Sequence, residues 1–91
     1  MIIDYGKGFD KSVKKIKDKI AIKRLLVLVE KLEEATSLKD ISNVLPIENN
    51  PFLYRIRTGD YRLLVEYRDG EITILLISYL KRDESTYRNY N

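Results

Sequence analysis

The feature that most constrains this chain is a change of hydrophobic period part-way along it. Up to residue 35 the apolar residues recur at helical spacing, and from residue 53 they alternate. Phe9, Val13, Ile16 and Ile20 form a first stripe. Lys11, Lys14, Lys15, Lys17 and Asp18 lie between them, which predicts an amphipathic helix with a basic outer face. Ile22, Leu25, Leu26, Val29 and Leu32 form a second stripe over about residues 20–35. Val27 and Leu28 widen it, so this helix is expected to be covered on more than one side. Neither Gly nor Pro separates the two patterns, and the corner between them falls near residues 17–19. Together they predict a helical hairpin. Ser37 and Asp40 then have the spacing of a capping box, which predicts one extra turn over residues 36–41.

Before the helices, Ile2-Ile3-Asp4-Tyr5 reads as an edge or end strand, punctuated by Gly6 and Gly8. Residues 42–51 hold both prolines and Asn43, Asn49 and Asn50, and read as one long irregular loop of the kind where binding often occurs. Residues 53–57 form a strand, 58–60 a turn and 61–68 a second strand. Asp69-Gly70 is a strong hairpin signal, and residues 71–79 form a third strand. That strand is apolar on both faces, which places it at the sheet centre. Residues 81–91 are polar and rich in tyrosine, either a short helix or a frayed end. The expected fold is α+β in the order β-α-α-β-β-β: a helical hairpin packed on a mostly antiparallel four-stranded sheet, with a possible short C-terminal helix. The 91 residues make one domain.

Composition excludes several function classes. There is no cysteine, hence neither a disulfide framework nor a thiolate metal site, and no histidine. Acid–base chemistry must therefore fall to Tyr, Lys, Asp or Glu, or the protein is a binder, and no metal or small-molecule cofactor is expected. No apolar run is long enough to span a bilayer and the first residues lack a signal-peptide pattern, so the expectation is a cytoplasmic protein with no membrane partner. The net charge of +3 is unevenly spread: residues 7–24 are rich in lysine, residues 30–50 are acidic, and from residue 53 onward arginine is the usual cation.

Alternation sets Tyr54, Ile56, Tyr61, Leu63 and Val65 on one face of the strands, toward the helices. Arg55, Arg57 and Arg62 gather on the opposite, open face. Like charges facing each other across strands lower stability unless an anion binds, and guanidinium is a good fork for phosphate. The alternative is a solvated arginine face partly neutralised by Asp60 and Glu66. Lys81 and Arg82 add cations where the sheet stops. Tyr79, Tyr87 and Tyr90 offer rings for base stacking, or else pack as ordinary structure.

The stretch from Tyr54 to Tyr67, with Arg55, Ile56, Arg57, Gly59, Tyr61, Arg62 and Leu63 at its heart, is followed by a central apolar strand and then by Lys81-Arg82 and Tyr87-Arg88. It resembles the hairpin and basic ending of the RelE/ParE toxin superfamily, and the element order matches over essentially the whole chain. The resemblance implies the toxin of a type II toxin–antitoxin system, with a cognate acidic antitoxin as partner and the ribosome and mRNA as targets. It implies a metal-independent endoribonuclease in which the ribose 2′-hydroxyl attacks the adjacent phosphate. Carried over by position, Arg62 would hold the scissile phosphate, Arg82 would assist the leaving group, and Tyr87 would serve as base or stacking platform. Arg55, Arg57, Lys81 and Arg88 would contact RNA. Two other members of the superfamily's repertoire stay open: a ParE-like inhibitor of DNA gyrase, and a catalytically inactive protein that only binds antitoxin. Arg55 and Arg57 stand where RelE-type enzymes often carry lysine, and Leu80 where many carry histidine, so the hairpin itself supplies no ready proton acceptor.

Overall fold

In the computed structural model, which describes residues 1–68 and 73–82, two helices lie across one face of a five-stranded sheet. The elements are β1 (Ile2–Tyr5), α1 (Lys7–Lys14), α2 (Lys19–Glu34), a single 3-10 turn (Leu38–Asp40), β2 (Val44–Ile47), β3 (Asn50–Thr58), β4 (Tyr61–Arg68) and β5 (Thr73–Lys81). The strand order is β1-β5-β4-β3-β2; β1 runs parallel to β5 and every other pairing is antiparallel. The chain thus leaves β1 at one edge, crosses the sheet through the helices, and returns as a four-strand meander. That route is why both helices cover the same face.

The sheet has one strand more than the four expected from sequence. The extra strand, β2, lies in the segment read as an irregular loop. Val44, Leu45 and Pro46 pair with Ile56, Arg55 and Tyr54. A tight Glu48-Asn49 connection makes the hairpin possible, with Asn49 in the left-handed region at φ 63°. Pro46 is tolerated because β2 is an edge strand, where a missing N–H costs no ladder bond. As expected, β5 is interior, flanked by β1 and β4.

The corner between the helices is set by Asp18, whose Oδ1 accepts from Ile20 N at 2.9 Å and Ala21 N at 3.2 Å. It begins α2 in the way a short polar side chain satisfies the otherwise orphaned first-turn donors. Ile20 therefore opens the second helix instead of closing the first, and it is 63% exposed, contrary to its place in the predicted stripe. Leu26 and Val27 are exposed too, so the widened apolar surface of α2 is not covered as expected. The predicted extra turn is present. Ser37 Oγ accepts from Lys39 N at 3.0 Å, while Asp40 Oδ2 accepts from Thr36 N at 3.0 Å and Thr36 Oγ1 at 2.9 Å. These bonds from Thr36, the backbone amide first, hold the Asp40 carboxyl below its ordinary pKa.

The main core joins Phe9, Leu25, Leu28, Val29 and Leu32 to Ile56, Tyr61, Leu63, Val65, Ile74, Leu76 and Tyr79 of the sheet. Close approach of α1 to β5 dictates a glycine: Gly6 N donates to Leu76 O at 2.9 Å, and a Cβ on Gly6 would stand 2.8 Å from that oxygen. Ser12 extends the same seam. Its buried hydroxyl donates to Phe9 O at 2.8 Å and accepts from Tyr79 N at 2.9 Å. A second apolar cluster of Ile47, Leu53 and Leu64, with Ile77 against it, is separate from that core. A register shift between Leu64 and Val65 accompanies burial of Leu63, Leu64 and Val65 in succession.

Candidate nucleic-acid interface

The β3–β4 hairpin brings the predicted arginines together. Its turn runs from Thr58 to Tyr61, with Gly59 at φ 61°, a conformation glycine adopts without the steric penalty of a Cβ. The tight turn locks the register, so that Arg57 stands directly opposite Arg62, and Arg55 opposite Leu64. The rows continue onto the neighbouring strands: Leu80 faces Arg62, and Leu45 faces Arg55. Strand alternation puts Arg55 and Arg57 on the sheet face away from the helices, because Tyr54 and Ile56 between them pack with the main core. Directly opposed partners have Cβ atoms about 5 Å apart, so two guanidinium groups are held within reach of one phosphate.

Arg57 is exposed, whereas Arg55 and Arg62 are half-buried. Arg62 Nη1 donates to Tyr61 O at 3.1 Å, and Arg55 Nε is buried. Stems that lie along apolar surface suit the buried Leu64 beside them. Of the acidic groups expected to neutralise this face, Glu66 accepts from Arg68 Nε at 2.7 Å through Oε1, at the far end of β4 from Arg62.

The terminal pair is divided by the strand. Lys81 is the register partner of Tyr61, a residue of the helix-side core, so it lies on the helix side and borders a cleft with Lys11, Lys15 and Lys17 of α1 and the segment after it. Arg82 follows the end of β5, exposed, its backbone N donating to Asp60 O at 2.9 Å. That bond tethers Arg82 to the arginine hairpin's own turn. Tyr87, Arg88 and Tyr90 lie outside the described residues, as does the Asp69-Gly70 turn.

Tyr79 is a structural residue and not a stacking platform. It is fully buried, its hydroxyl donates to Ala21 O at 2.8 Å, and its ring stacks on Tyr61 with centroids 4.9 Å apart. Burial, reinforced by the neighbouring Tyr61, pushes its phenol up to about 12. Tyr54, Tyr61 and Tyr67 also pack with the helix-side core, and Tyr5 sits against Phe9. Among the described residues, then, no tyrosine shares the arginine face. Nor do three His, Cys, Asp or Glu side chains among the described residues gather as metal ligands would. What the arrangement offers chemically is a cationic row able to grip a phosphate and stabilise added negative charge on it. Sequence reading missed the apolar patch of Ile47, Leu53 and Leu64 beneath the arginines. The unbroken run Leu63-Leu64-Val65, too apolar for a strand with one wet face, was the signal for it.

No family model matches the chain, and no curated protein matches it. Solved structures do. The RelB-RelE antitoxin-toxin complex from Methanococcus jannaschii aligns over 97% of this chain and 99% of its own, at 27% identity and a TM-score of 0.78. The archaeal RelE-RelB complex from Pyrococcus horikoshii OT3 aligns over 92% and 97%, at 22% identity and a TM-score of 0.71. The isolated E. coli RelE toxin aligns over 97% and 92%, at 23% identity and a TM-score of 0.63. Helical pair and mixed sheet together are the RelE-like toxin fold, and this chain has it.

Proposed function

We propose that the protein is the toxin of a type II toxin–antitoxin pair and that it acts as an endoribonuclease on mRNA in the ribosome. The observation that carries the nuclease reading is the pairing of Arg57 with Arg62 across the β3–β4 hairpin, with Arg55 on the same face. Two guanidinium groups set side by side repel, and the arrangement is retained at a cost that an anionic ligand would offset. The likeness to RelE toxins solved with RelB antitoxins supports an antitoxin as the partner.

The reaction that such a face suits is transesterification. The 2′-oxygen of a ribose forms a bond to the adjacent phosphorus, the 5′-oxygen of the next nucleotide leaves, and the products are a 2′,3′-cyclic phosphate and a 5′-hydroxyl. Arg62 grips the non-bridging oxygens and stabilises the charge that builds on the phosphorane, with Arg57 and Arg55 holding the flanking backbone. Arg82, anchored beside the hairpin turn through its backbone bond to Asp60, would stabilise the charge on the leaving 5′-oxygen, which takes its proton from water. Arginine remains protonated, so the 2′-proton must go to another group, and Tyr87 is the candidate by position.

Mapping mRNA 5′ ends in a translating extract tests this. Wild type should produce cuts phased with the ribosome. Arg62→Ala should lower the cleavage rate about 100-fold or more, the scale on which one transition-state charge contact acts. Arg82→Ala should also slow cleavage. Unchanged cutting by Arg62→Ala, or no cutting by wild type, would sink the proposal. Loss of DNA supercoiling in place of cuts would point to gyrase.

A further inference from the structure

The hairpin that carries the arginine face ends in its most deformable stretch. Arg57 and Arg62 form the last register pair but one before the turn, Thr58 and Tyr61 the last. Between them Gly59, at φ 61°, is the residue type with the widest backbone freedom. Repulsion between two opposed guanidinium groups acts to spread the strands at this end. Contacts from β5 and the residue after it steady the turn on one side: Arg82 N donates to Asp60 O, and the Tyr61 ring stacks on Tyr79.

A further hold comes from α2. The Arg24 guanidinium lies over Gly59 so closely that it fills the place a Cβ there would take, with Arg24 Cζ 3.2 Å and Cδ 3.6 Å from that point. Glycine is thus required at position 59 by its backbone angle and again by the side chain laid across it. Arg24 is exposed and has no carboxylate partner among the described residues, so its head is not held by an ion pair. What it contributes is shape. A guanidinium is flat and weakly hydrated and can lie against the bare backbone of a glycine, which a compact, strongly hydrated ammonium does less well.

We propose that Arg24 is a positioning residue for cleavage: by lying across Gly59 it fixes the β3–β4 turn, and with it the placement of Arg57, Arg62 and Arg82 about one phosphate. The inference rests on the nuclease reading for the reaction and deepens it, since it names a residue outside the arginine face on which that face depends. Helix α2 is a firm anchor for such a contact. Ala21, Leu25 and Leu28 are buried in the main core, so Arg24 projects from a fixed backbone. Arg24 meets the turn from the helix side, whereas Arg55 and Arg57 face the other way, so it acts through the turn and not by gripping the same phosphate.

The test compares wild type, Arg24→Ala, Arg24→Lys and, as a control on the same helix, the exposed Lys23→Ala, each as the full chain. Cleavage of mRNA on programmed ribosomes is read as kcat and KM at a temperature well below the melt of every variant. Arg24→Ala should lower kcat about tenfold or more, the scale on which small misplacements act, with KM little changed. Arg24→Lys should do the same, because charge without the flat head does not hold the turn. Lys23→Ala should cleave as wild type does. In an Arg62→Ala background, removal of Arg24 should cost little more, since both act on one phosphate. Hydrogen exchange should quicken over residues 54–62 in Arg24→Ala and stay as in wild type over α1. Full activity of Arg24→Lys overturns the proposal, as does a salt slope of single-stranded RNA binding reduced by about one in Arg24→Ala, since either makes Arg24 a plain RNA-contacting cation. So does unchanged exchange over residues 54–62, or a loss that multiplies with that of Arg62→Ala. If wild type never cleaves, the nuclease reading falls, and exchange over residues 54–62 alone decides whether Arg24 holds the turn.

Discussion

Tyr79 illustrates how one side chain can be structural at a position where sequence also allowed a functional role. Its ring stacks on Tyr61, its hydroxyl reaches back to Ala21 O on α2, and its own backbone N–H is satisfied by Ser12 of α1. One residue thereby ties β5 to both helices. The fold needs the neutral phenol, and burial first of all raises its pKa from 10.0 to about 12. The stability this provides is complete below the unfolded value and is lost as pH rises from about 10 toward 12, where the unfolded chain ionises and the folded one does not. Tyr79→Phe should cost about 1 kcal/mol at neutral pH, the net worth of one buried hydrogen bond, and should flatten the decline of stability across that alkaline window. Urea titrations at neutral pH and across the window would show both effects. A variant with the same alkaline decline as wild type would contradict the assignment.

At the scale of elements, the boundary between the helices depends on Asp18. α1 ends with Lys15 N and Ile16 N donating three residues back, to Ser12 O and Val13 O at 3.3 and 3.0 Å, a tightening common at helix ends. Asp18 then caps α2 with two bonds to its first turn. Asp18→Ala should cost about 1 kcal/mol, and Asp18→Asn much less, because an amide oxygen can still accept from the first-turn amides. Thermal melts of the two variants distinguish them, and equal losses would mean that the corner is held by packing alone. The corner also explains why Ile20 is exposed. A continuous helix would have carried it on the Phe9 stripe, whereas a fresh helix starting at Lys19 turns Ala21 and Leu25 inward instead.

The whole molecule pairs a buried helical side with a sheet face where cations are crowded. Arg57 and Arg62 are opposed in register, and that proximity should lower stability in the absence of an anion. Arg57→Thr should therefore raise the melting temperature slightly at low salt, an advantage that shrinks as salt screens the charges, while weakening RNA binding. Melts at low and high ionic strength, with filter binding to a single-stranded RNA, measure both sides of this trade. A variant that is less stable at low salt would show that the arginine is held by favourable contacts and not by function.

Much of this was already present in the order of residues. The switch from helical to alternating period separated the helices from the meander, and the alternation in Tyr54, Arg55, Ile56 and Arg57 assigned each side chain to a face, because those periods follow from backbone geometry alone. Tertiary structure decided the rest. Strand β2 exists because Val44, Leu45 and Pro46 find β3, a pairing across a short turn that local propensity does not reveal. The parallel docking of β1 on β5 depends on contact between residues about seventy positions apart. Lys81 and Arg82 are neighbours in sequence, yet the pleat sends Lys81 to the helix side, and only the register with Tyr61 and the anchor to Asp60 says so. The apolar flank of α2 looked like core because hydrophobicity in sequence records a need for cover. Whether the cover comes from the same chain is settled by where the helix lies, and here Ile20 and Val27 are left facing outward.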